Sequence, residues 1–146
     1  ELAVEQVLFG AFRSTGQKCT ATSRLILDAD IAEDFLGRLT ARLDDWVTGD
    51  PLDGGGAHGS TGGCPGPRCG PAGAGTCLEQ GASIRYRGAA PQEAGFMPPI
   101  ILQLPEGPRG RENAGWREEF FAPILSVIQS PAPSRPSPPP RTVSSG

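Results

Sequence analysis

Apolar residues near the start of the chain recur at intervals of three and four residues. Between Leu2 and Phe12, the residues of this pattern are Val4, Val7, Leu8 and Ala11. Their period predicts an amphipathic helix, which the polar and glycine residues of 14–16 end. The run from Arg24 to Leu27 then has the length of a buried strand, and the aspartates at 28 and 30 supply the polar turn after it.

A second amphipathic helix is predicted after this strand. Asp30 and Glu33 have the spacing of a capping box, in which the first side chain accepts a hydrogen bond from an early backbone N–H. We therefore expect the helix to start at Asp30. Its apolar face is expected to carry Ile31, Phe35, Leu39, Leu43 and Trp46 or Val47. Gly49 and Pro51 then end the helix.

Three later stretches have the pattern of β-strands. Residues Ala82 to Tyr86 alternate between apolar and polar side chains, and Phe96 to Leu104 and Phe120 to Ile128 are rich in apolar residues. Pro98 and Pro99 place the second stretch at a sheet edge or at the beginning of a strand, because proline has no N–H to donate. Helices separated by short apolar strands predict an α/β fold.

Glycine and proline divide the chain into a folded part and two low-complexity segments. They supply 21 and 16 of the 146 residues, a share that approaches low-complexity composition. We expect a folded unit over residues 1–129, interrupted by a glycine- and proline-rich loop over 53–75, and a disordered proline-rich tail over 130–146. Residues 136–141 of the tail, PSPPPR, also fit a ligand of an SH3-type groove.

Charge and hydropathy exclude several classes of partner. The net charge is −3 without a basic block, so we expect neither nucleic acid nor an anionic membrane surface as a partner. No apolar run approaches the ~20 residues of a membrane-spanning helix, and the start of the chain lacks the pattern of a secretory signal. We therefore expect a soluble protein of the cytoplasm.

The four cysteines, at positions 19, 64, 69 and 77, are expected to be reduced in that compartment. The last three and the lone His58 are zinc ligands by residue type, but they lack the paired spacing of a zinc site, and we expect no metal. Cys19 lies in the segment GQKCT and has two interpretations. It is either a small buried hydrophobe or a nucleophile whose thiolate is favoured by a nearby Lys18 charge.

Four ordered segments of the chain resemble the NAD(P)-dependent aldehyde dehydrogenases. They are FGAFRSTGQKCTATSRLIL at 9–27, GDPLD at 49–53, GFMPPI at 95–100 and REEFFAPILSV at 117–127. They correspond to the family's nucleophile segment, the exit of its next helix, and its G-F-x-x-P-T and E-E-I-F-G-P-V segments. The segment TGQKCTATSR is similar to the corresponding segment of semialdehyde dehydrogenases such as the α-ketoglutaric semialdehyde enzymes.

The resemblance implies a partial aldehyde dehydrogenase catalytic domain with a mostly parallel sheet, and it assigns three site residues. Cys19 corresponds to the nucleophile, which forms a thiohemiacetal with an aldehyde and then a thioester that water hydrolyses to the acid. Glu119 corresponds to a residue that binds the nicotinamide ribose, and Phe121 to one that packs beside the nicotinamide ring. Residue type alone favours a solvated carboxylate and a core aromatic at these two positions. The implied cofactor is NAD or NADP, the implied substrate is a small-molecule aldehyde, and the family assembles as homo-oligomers.

The chain departs from the family pattern in ways that bear on activity. The family's general-base glutamate in an E-L-G-G motif, its oxyanion asparagine and its nucleotide-binding unit have no counterpart in this sequence, and Ala122 stands where glycine is usual. We therefore expect no aldehyde-dependent NADH production from this chain alone. Two alternatives are a non-enzymatic module that presents the proline-rich tail to an SH3-type partner, and a remnant without function.

Overall fold

The structure is a computed structural model that describes residues 1–50, 52, 71–92 and 95–131. Its helices are α1 (Leu2–Phe12), α2 (Ala29–Asp44), α3 (Pro71–Glu79), α4 (Pro108–Glu112) and α5 (Ala114–Arg117), and its strands are β1 (Arg24–Asp28), β2 (Ser83–Arg87), β3 (Ile100–Gln103) and β4 (Ile124–Ser130). A short 3-10 turn, Arg13–Gly16, follows α1. This mixture of helices and strands confirms the predicted α/β class.

The four described strands form one sheet in the order β1-β4-β3-β2. β4 pairs in parallel with both β1 and β3, and β2 pairs antiparallel with β3 at the edge. The prediction of a mostly parallel sheet is therefore confirmed. The register sets Arg24 opposite Ser126 and Ile100 opposite Ile124. Residues 124–128 of β4 are all buried, as expected for a central parallel strand that is covered on both faces.

Two apolar clusters hold helices on opposite faces of the sheet. Alternate residues of a strand point to opposite faces, so Ile101 belongs to one cluster and Ile100 and Leu102 to the other. The first cluster packs α1 and α2 on the sheet through Val4, Leu8, Ala11, Phe12, Ala32, Leu36, Leu39 and Leu43. The second packs α3, α5 and the segment before β3 on the sheet through Ala74, Cys77, Met97 and Ala114.

The start of α2 and part of its buried face differ from the prediction. Its N-cap is Asp28 and not Asp30, because Asp28 Oδ1 accepts a hydrogen bond from the Asp30 N–H at 3.0 Å and satisfies a free donor of the first turn. Its buried residues are Ala32, Leu36, Leu39 and Leu43, whereas Ile31 and Val47 are 54% and 55% exposed. The prediction is confirmed at Leu39 and Leu43, and Phe35 and Trp46 pack against the same cluster. It is wrong at Ile31, because packing against α1 and the sheet buries Ala32 and Leu36 instead.

Three other helices differ from the prediction. α3 begins at Pro71, so residues 71–75 of the predicted glycine-rich loop are helical, and proline is compatible with the first position of a helix. β3 is an inner strand that begins directly after the prolines at 98 and 99, so the alternative of a strand beginning is confirmed and that of a sheet edge is wrong. The short helices α4 and α5 were not predicted, because five and four residues do not establish a hydrophobic period.

Residues 53–70 and 132–146 lie outside the described part of the chain. The loop, the tail and the SH3-type ligand predicted there stay predictions, although β4 extends one residue past the predicted boundary at 129. None of the described helices is long and apolar enough to cross a membrane. The described side chains form no group of three His, Cys, Asp or Glu that could hold a metal ion. His58, Cys64 and Cys69 are not among the described residues.

The corrected face of α2 is tested by a pair of substitutions on this helix. We expect Leu36→Ala to lower the free energy of unfolding by about 2–5 kcal/mol, because it leaves a cavity at a fully buried position. The matched change Ile31→Ala, at a mainly exposed position, is expected to cost less than about 1 kcal/mol. Urea denaturation monitored by circular dichroism measures both, and equal losses would contradict the assigned face.

Candidate functional site

Three successive residues with positive φ end α1 and start the loop that carries Cys19. Ser14 and Thr15 both have φ of 58°, and Gly16 has φ of 66°. This conformation costs about 1–3 kcal/mol for each residue other than glycine. The Thr15 hydroxyl donates to the Ser14 carbonyl at 2.6 Å and contacts Gln17 Oε1 at 3.1 Å. These bonds stabilise the turn. From the sequence, only the end of a helix was predicted at these positions.

Gly16 brings this turn into contact with a distant segment of the chain. A Cβ atom at Gly16 would lie 2.3 Å from the carbonyl oxygen of Ala122 and 3.1 Å from that of Ala11. Real Cβ atoms do not approach backbone oxygens so closely, and φ at Gly16 is also positive. Glycine is therefore required here for two independent reasons.

Backbone hydrogen bonds fix the loop of residues 17–23 on both sides of Cys19. The Ala21 N–H donates to the Lys18 carbonyl at 2.9 Å, which closes a turn around Cys19. The Thr22 N–H donates to the Gly10 carbonyl of α1 at 2.9 Å. The Ser23 carbonyl accepts from the N–H of Ser126 in β4 at 3.0 Å. Cys19 itself is a free, exposed thiol at the tip of this turn.

The segment of residues 118–122 lies between α5 and β4 and carries the other two predicted site residues. Glu119 is exposed. Phe121 has φ of 47°, and its side chain is 40% exposed. An exposed aromatic residue in a strained backbone conformation is unusual for a residue that serves only the core. The interpretation of Phe121 as a core aromatic is therefore wrong for this chain.

A narrow cleft separates the Cys19 loop from this segment. One wall is formed by Ala11, Gly16, Ala21, Thr22 and Ser23, and the other by Gly115, Glu118, Glu119, Phe120, Phe121, Ala122 and Ile124. The enclosed volume is about 10 Å³, which is room for a single water molecule. The structure thus brings Glu119 and Phe121 into one cleft. Cys19 does not line it but lies on the turn between two of its lining residues, Gly16 and Ala21.

Larger pockets of the described surface lie away from the three predicted site residues. One of about 500 Å³ is lined by Ile26, Gly107, Arg111, Trp116, Ile128, Gln129, Ser130 and Pro131. An apolar one of about 220 Å³ lies among α3, β2 and the segment before β3. Neither contains Cys19, Glu119 or Phe121, so size alone does not identify the candidate site.

Cys77 differs from Cys19 in its surroundings. It is buried in α3, and burial raises the pKa of its thiol to about 11. Its backbone carbonyl accepts a hydrogen bond from Asn113 Nδ2 at 3.0 Å. Since the thiolate is the nucleophilic form, Cys77 is a packing residue and Cys19 is the accessible thiol of the two.

Arg24 is the site residue that reasoning from the sequence missed. It is half-buried at the first position of β1, where it had been assigned only to an apolar run. Its guanidinium donates to the carbonyls of Trp116 and Glu118, the second at 2.9 Å. An arginine at the start of a buried strand requires polar partners. This requirement was the sequence signal that could have indicated hydrogen bonds from Arg24 to another segment.

A profile of the aldehyde dehydrogenase family matches residues 1–132. The chain belongs to the aldehyde dehydrogenase family. The resemblance based on four sequence segments is thereby confirmed, since the match extends over all of the described residues.

Two curated relatives illustrate the extent of the similarity. Betaine aldehyde dehydrogenase 1 of Oryza sativa subsp. japonica is 38% identical over 139 residues, covering 86% of this chain and 25% of that protein. Alpha-ketoglutaric semialdehyde dehydrogenase of Bacillus subtilis (strain 168) is 56% identical over 52 residues, 36% of this chain and 11% of that protein. The chain spans about a quarter of the length of curated relatives that it matches along most of its own length.

A solved structure shares the arrangement of helices and strands. It is 1-pyrroline-5-carboxylate dehydrogenase from Thermus with bound NAD, which is 29% identical in sequence, with a TM-score of 0.75. The match covers 89% of this chain and 24% of that one. The described fold is therefore that of part of an aldehyde dehydrogenase.

The contact between Gly16 and Ala122 is tested by alanine substitution. We expect Gly16→Ala to lower the free energy of unfolding by at least about 1–3 kcal/mol, from the backbone strain alone. The matched control is Gly37→Ala in α2, where nothing lies within 4 Å of the new Cβ. This change is expected to stabilise the chain by about 0.5–1 kcal/mol. Urea denaturation measures both, and a neutral Gly16→Ala would show that the close approach is not needed.

Proposed function

We propose that this chain supplies the nucleophile and the nicotinamide-binding residues of an aldehyde dehydrogenase, an enzyme that oxidises an aldehyde or semialdehyde to the acid with NAD or NADP. The observation that carries the proposal is the cleft between the Cys19 loop and the 118–122 segment. It joins elements that are about one hundred residues apart in the sequence. Family membership supports the same roles for Cys19, Glu119 and Phe121.

The chemistry of Cys19 begins with its thiolate. The sulfur attacks the carbonyl carbon of the aldehyde, a C–S bond forms, and the carbonyl electron pair moves to oxygen to give a thiohemiacetal. The exposure of Cys19 at the tip of a turn leaves room for this approach. After hydride loss the product is an acyl thioester on Cys19, which water hydrolyses to the carboxylic acid and the free thiol.

Glu119 and Phe121 fit the nicotinamide end of the cofactor. The exposed Glu119 carboxylate offers two acceptor oxygens to ribose hydroxyls, and the 40% exposed Phe121 ring offers an apolar face to the nicotinamide. Because the cleft floor has room only for water, the ring is expected at the rim. When bound, the nicotinamide accepts the hydride.

The proposed chemistry favours a reducing compartment, since a disulfide or an oxidised sulfur at Cys19 cannot attack an aldehyde. We therefore propose the cytoplasm as the site of action. The homo-oligomeric state, the SH3-type partner of residues 136–141, and the absence of NADH production by this chain alone stay predictions.

The nucleophilic role is tested by mild alkylation with limiting iodoacetamide near pH 8, followed by peptide mass spectrometry. We expect Cys19 to be labelled at least about ten times faster than Cys77, because the pKa of Cys77 is raised to about 11 and little of it is thiolate at this pH. Labelling of Cys77 should rise with pH up to about 11. Acetaldehyde in excess should protect Cys19.

The same digest contains its own comparison, because Cys64 and Cys69 belong to the glycine-rich segment of the sequence, to which no role in the proposed site is assigned. Protection by acetaldehyde should be stronger at Cys19 than at these two thiols. If Cys19 reacts no faster than Cys64 and Cys69, and the aldehyde slows all three equally, the nucleophilic role is wrong.

The cofactor role is tested by titration with nicotinamide mononucleotide, monitored by ¹H–¹⁵N NMR. We expect shifts at the amides of Glu119 and Phe121, and a loss of affinity of about tenfold in Glu119→Gln, which weakens hydrogen bonds to a charged acceptor. Glu106→Gln, at an exposed carboxylate that does not line the cleft, is the matched control and should bind like the unaltered chain. Equal effects of the two changes would indicate general charge attraction and would exclude a specific ribose contact.

A further inference from the structure

The guanidinium of Arg24 bridges the two walls of the cleft. Its Nε donates to the carbonyl of Trp116, and its Nη2 donates to the carbonyl of Glu118 at 2.9 Å. Its Nη1 lies 3.3 Å from the hydroxyl oxygen of Ser23, which lines the opposite wall. One side chain of β1 therefore contacts both the end of the Cys19 loop and the segment that leads to Glu119.

The two carbonyls are groups that need donors. They lie at the end of α5, a helix of only four residues, where the last carbonyls lack partners within the helix. The Glu118 carbonyl belongs to the peptide bond that joins Glu118 to Glu119. A hydrogen bond to that oxygen therefore fixes the orientation of the peptide plane from which the Glu119 side chain departs.

The backbone of Arg24 is itself firmly held. Arg24 pairs with Ser126 in the parallel ladder between β1 and β4, and the carbonyl of the preceding residue, Ser23, accepts from the Ser126 N–H at 3.0 Å. The guanidinium thus projects from a strand that is hydrogen-bonded to β4 and not from a loop. Its planar fork can donate to two acceptors at once, which a lysine ammonium on a flexible stem does less well.

From this geometry we infer that Arg24 is a positioning residue, which holds the peptide before Glu119 and so sets Glu119 and Phe121 against the Cys19 loop. Arg24 does not line the cleft, and it acts through the carbonyls of Trp116 and Glu118 and through the Ser23 hydroxyl. The consequence for ligand binding rests on the proposed function, whereas the consequence for the order of residues 119–121 does not.

The test compares the unaltered chain with Arg24→Lys and Arg24→Gln in ¹⁵N relaxation measurements. We expect the order parameters of Glu119, Phe120 and Phe121 to fall from about 0.85, typical of a rigid backbone, to below about 0.6 in both variants. The amides of β4 should keep their values. Arg117→Lys, an exposed arginine on α5, is the matched control and should change nothing.

A second readout is the affinity for nicotinamide mononucleotide in the same samples. Arg24→Lys should weaken binding about fivefold while the rate of Cys19 alkylation and the urea midpoint stay close to those of the unaltered chain. Unchanged order at 119–121 in both variants would overturn the inference. A loss of order throughout β4 would also overturn it, since Arg24 would then be a residue of general stability; if Arg24→Gln fails to fold, Arg24→Lys carries the test.

The cofactor role of Glu119 and Phe121 and the positioning role of Arg24 can be contradicted independently. If the unaltered chain does not bind the mononucleotide but residues 119–121 become mobile in Arg24→Lys, the positioning role stands and the cofactor role is wrong. If the unaltered chain binds it and Arg24→Lys binds equally well with unchanged order, the cofactor role stands and the positioning role is wrong.

Discussion

The contact between the backbones of Gly16 and Ala122 is the constraint on which the candidate site depends. It brings the turn after α1 against the segment before β4, with the Ala122 oxygen where a Cβ of residue 16 would otherwise lie. Three successive residues with positive φ are needed to reach this position. Without this approach, the loop that carries Cys19 and the segment that carries Glu119 would have no common cleft.

The sheet supplies the energy that offsets this strain. β1 follows the Cys19 loop and β4 follows the 118–122 segment, and the two strands pair in parallel from Arg24 opposite Ser126 onward. Parallel neighbours run in the same direction, so the residues before each strand meet at the same edge of the sheet. The hydrogen bond from Ser126 to the Ser23 carbonyl extends the pairing up to the loop. The site is thus a consequence of strand order as much as of the loops themselves.

The elements of the fold could largely be predicted from hydrophobic patterning, whereas the site could not. Period and strand length correctly predicted α1 and the four strands of the described sheet, because these signals are local. The face of α2 was predicted correctly at Leu39 and Leu43 but wrongly at Ile31, because Ile31 and Leu36 belong to competing apolar stripes and only packing chooses between them. The roles proposed for Cys19, Glu119 and Phe121 were inferred from the family resemblance. The bonds of Arg24 and the contact of Gly16 join residues about one hundred positions apart, and no local pattern contains them.

The two described cysteines show how the fold gives one residue type two different environments. Cys77 lies among the apolar residues of α3 and α5, where burial disfavours the thiolate and raises the pKa to about 11. Cys19 lies on a turn that hydrogen bonds fix from both sides but that leaves the sulfur exposed. A nucleophile needs both properties, a fixed backbone and an accessible sulfur, because a mobile thiol loses the benefit of orientation and a buried one cannot reach its substrate. The strained turn at 14–16 provides the first of these without removing the second.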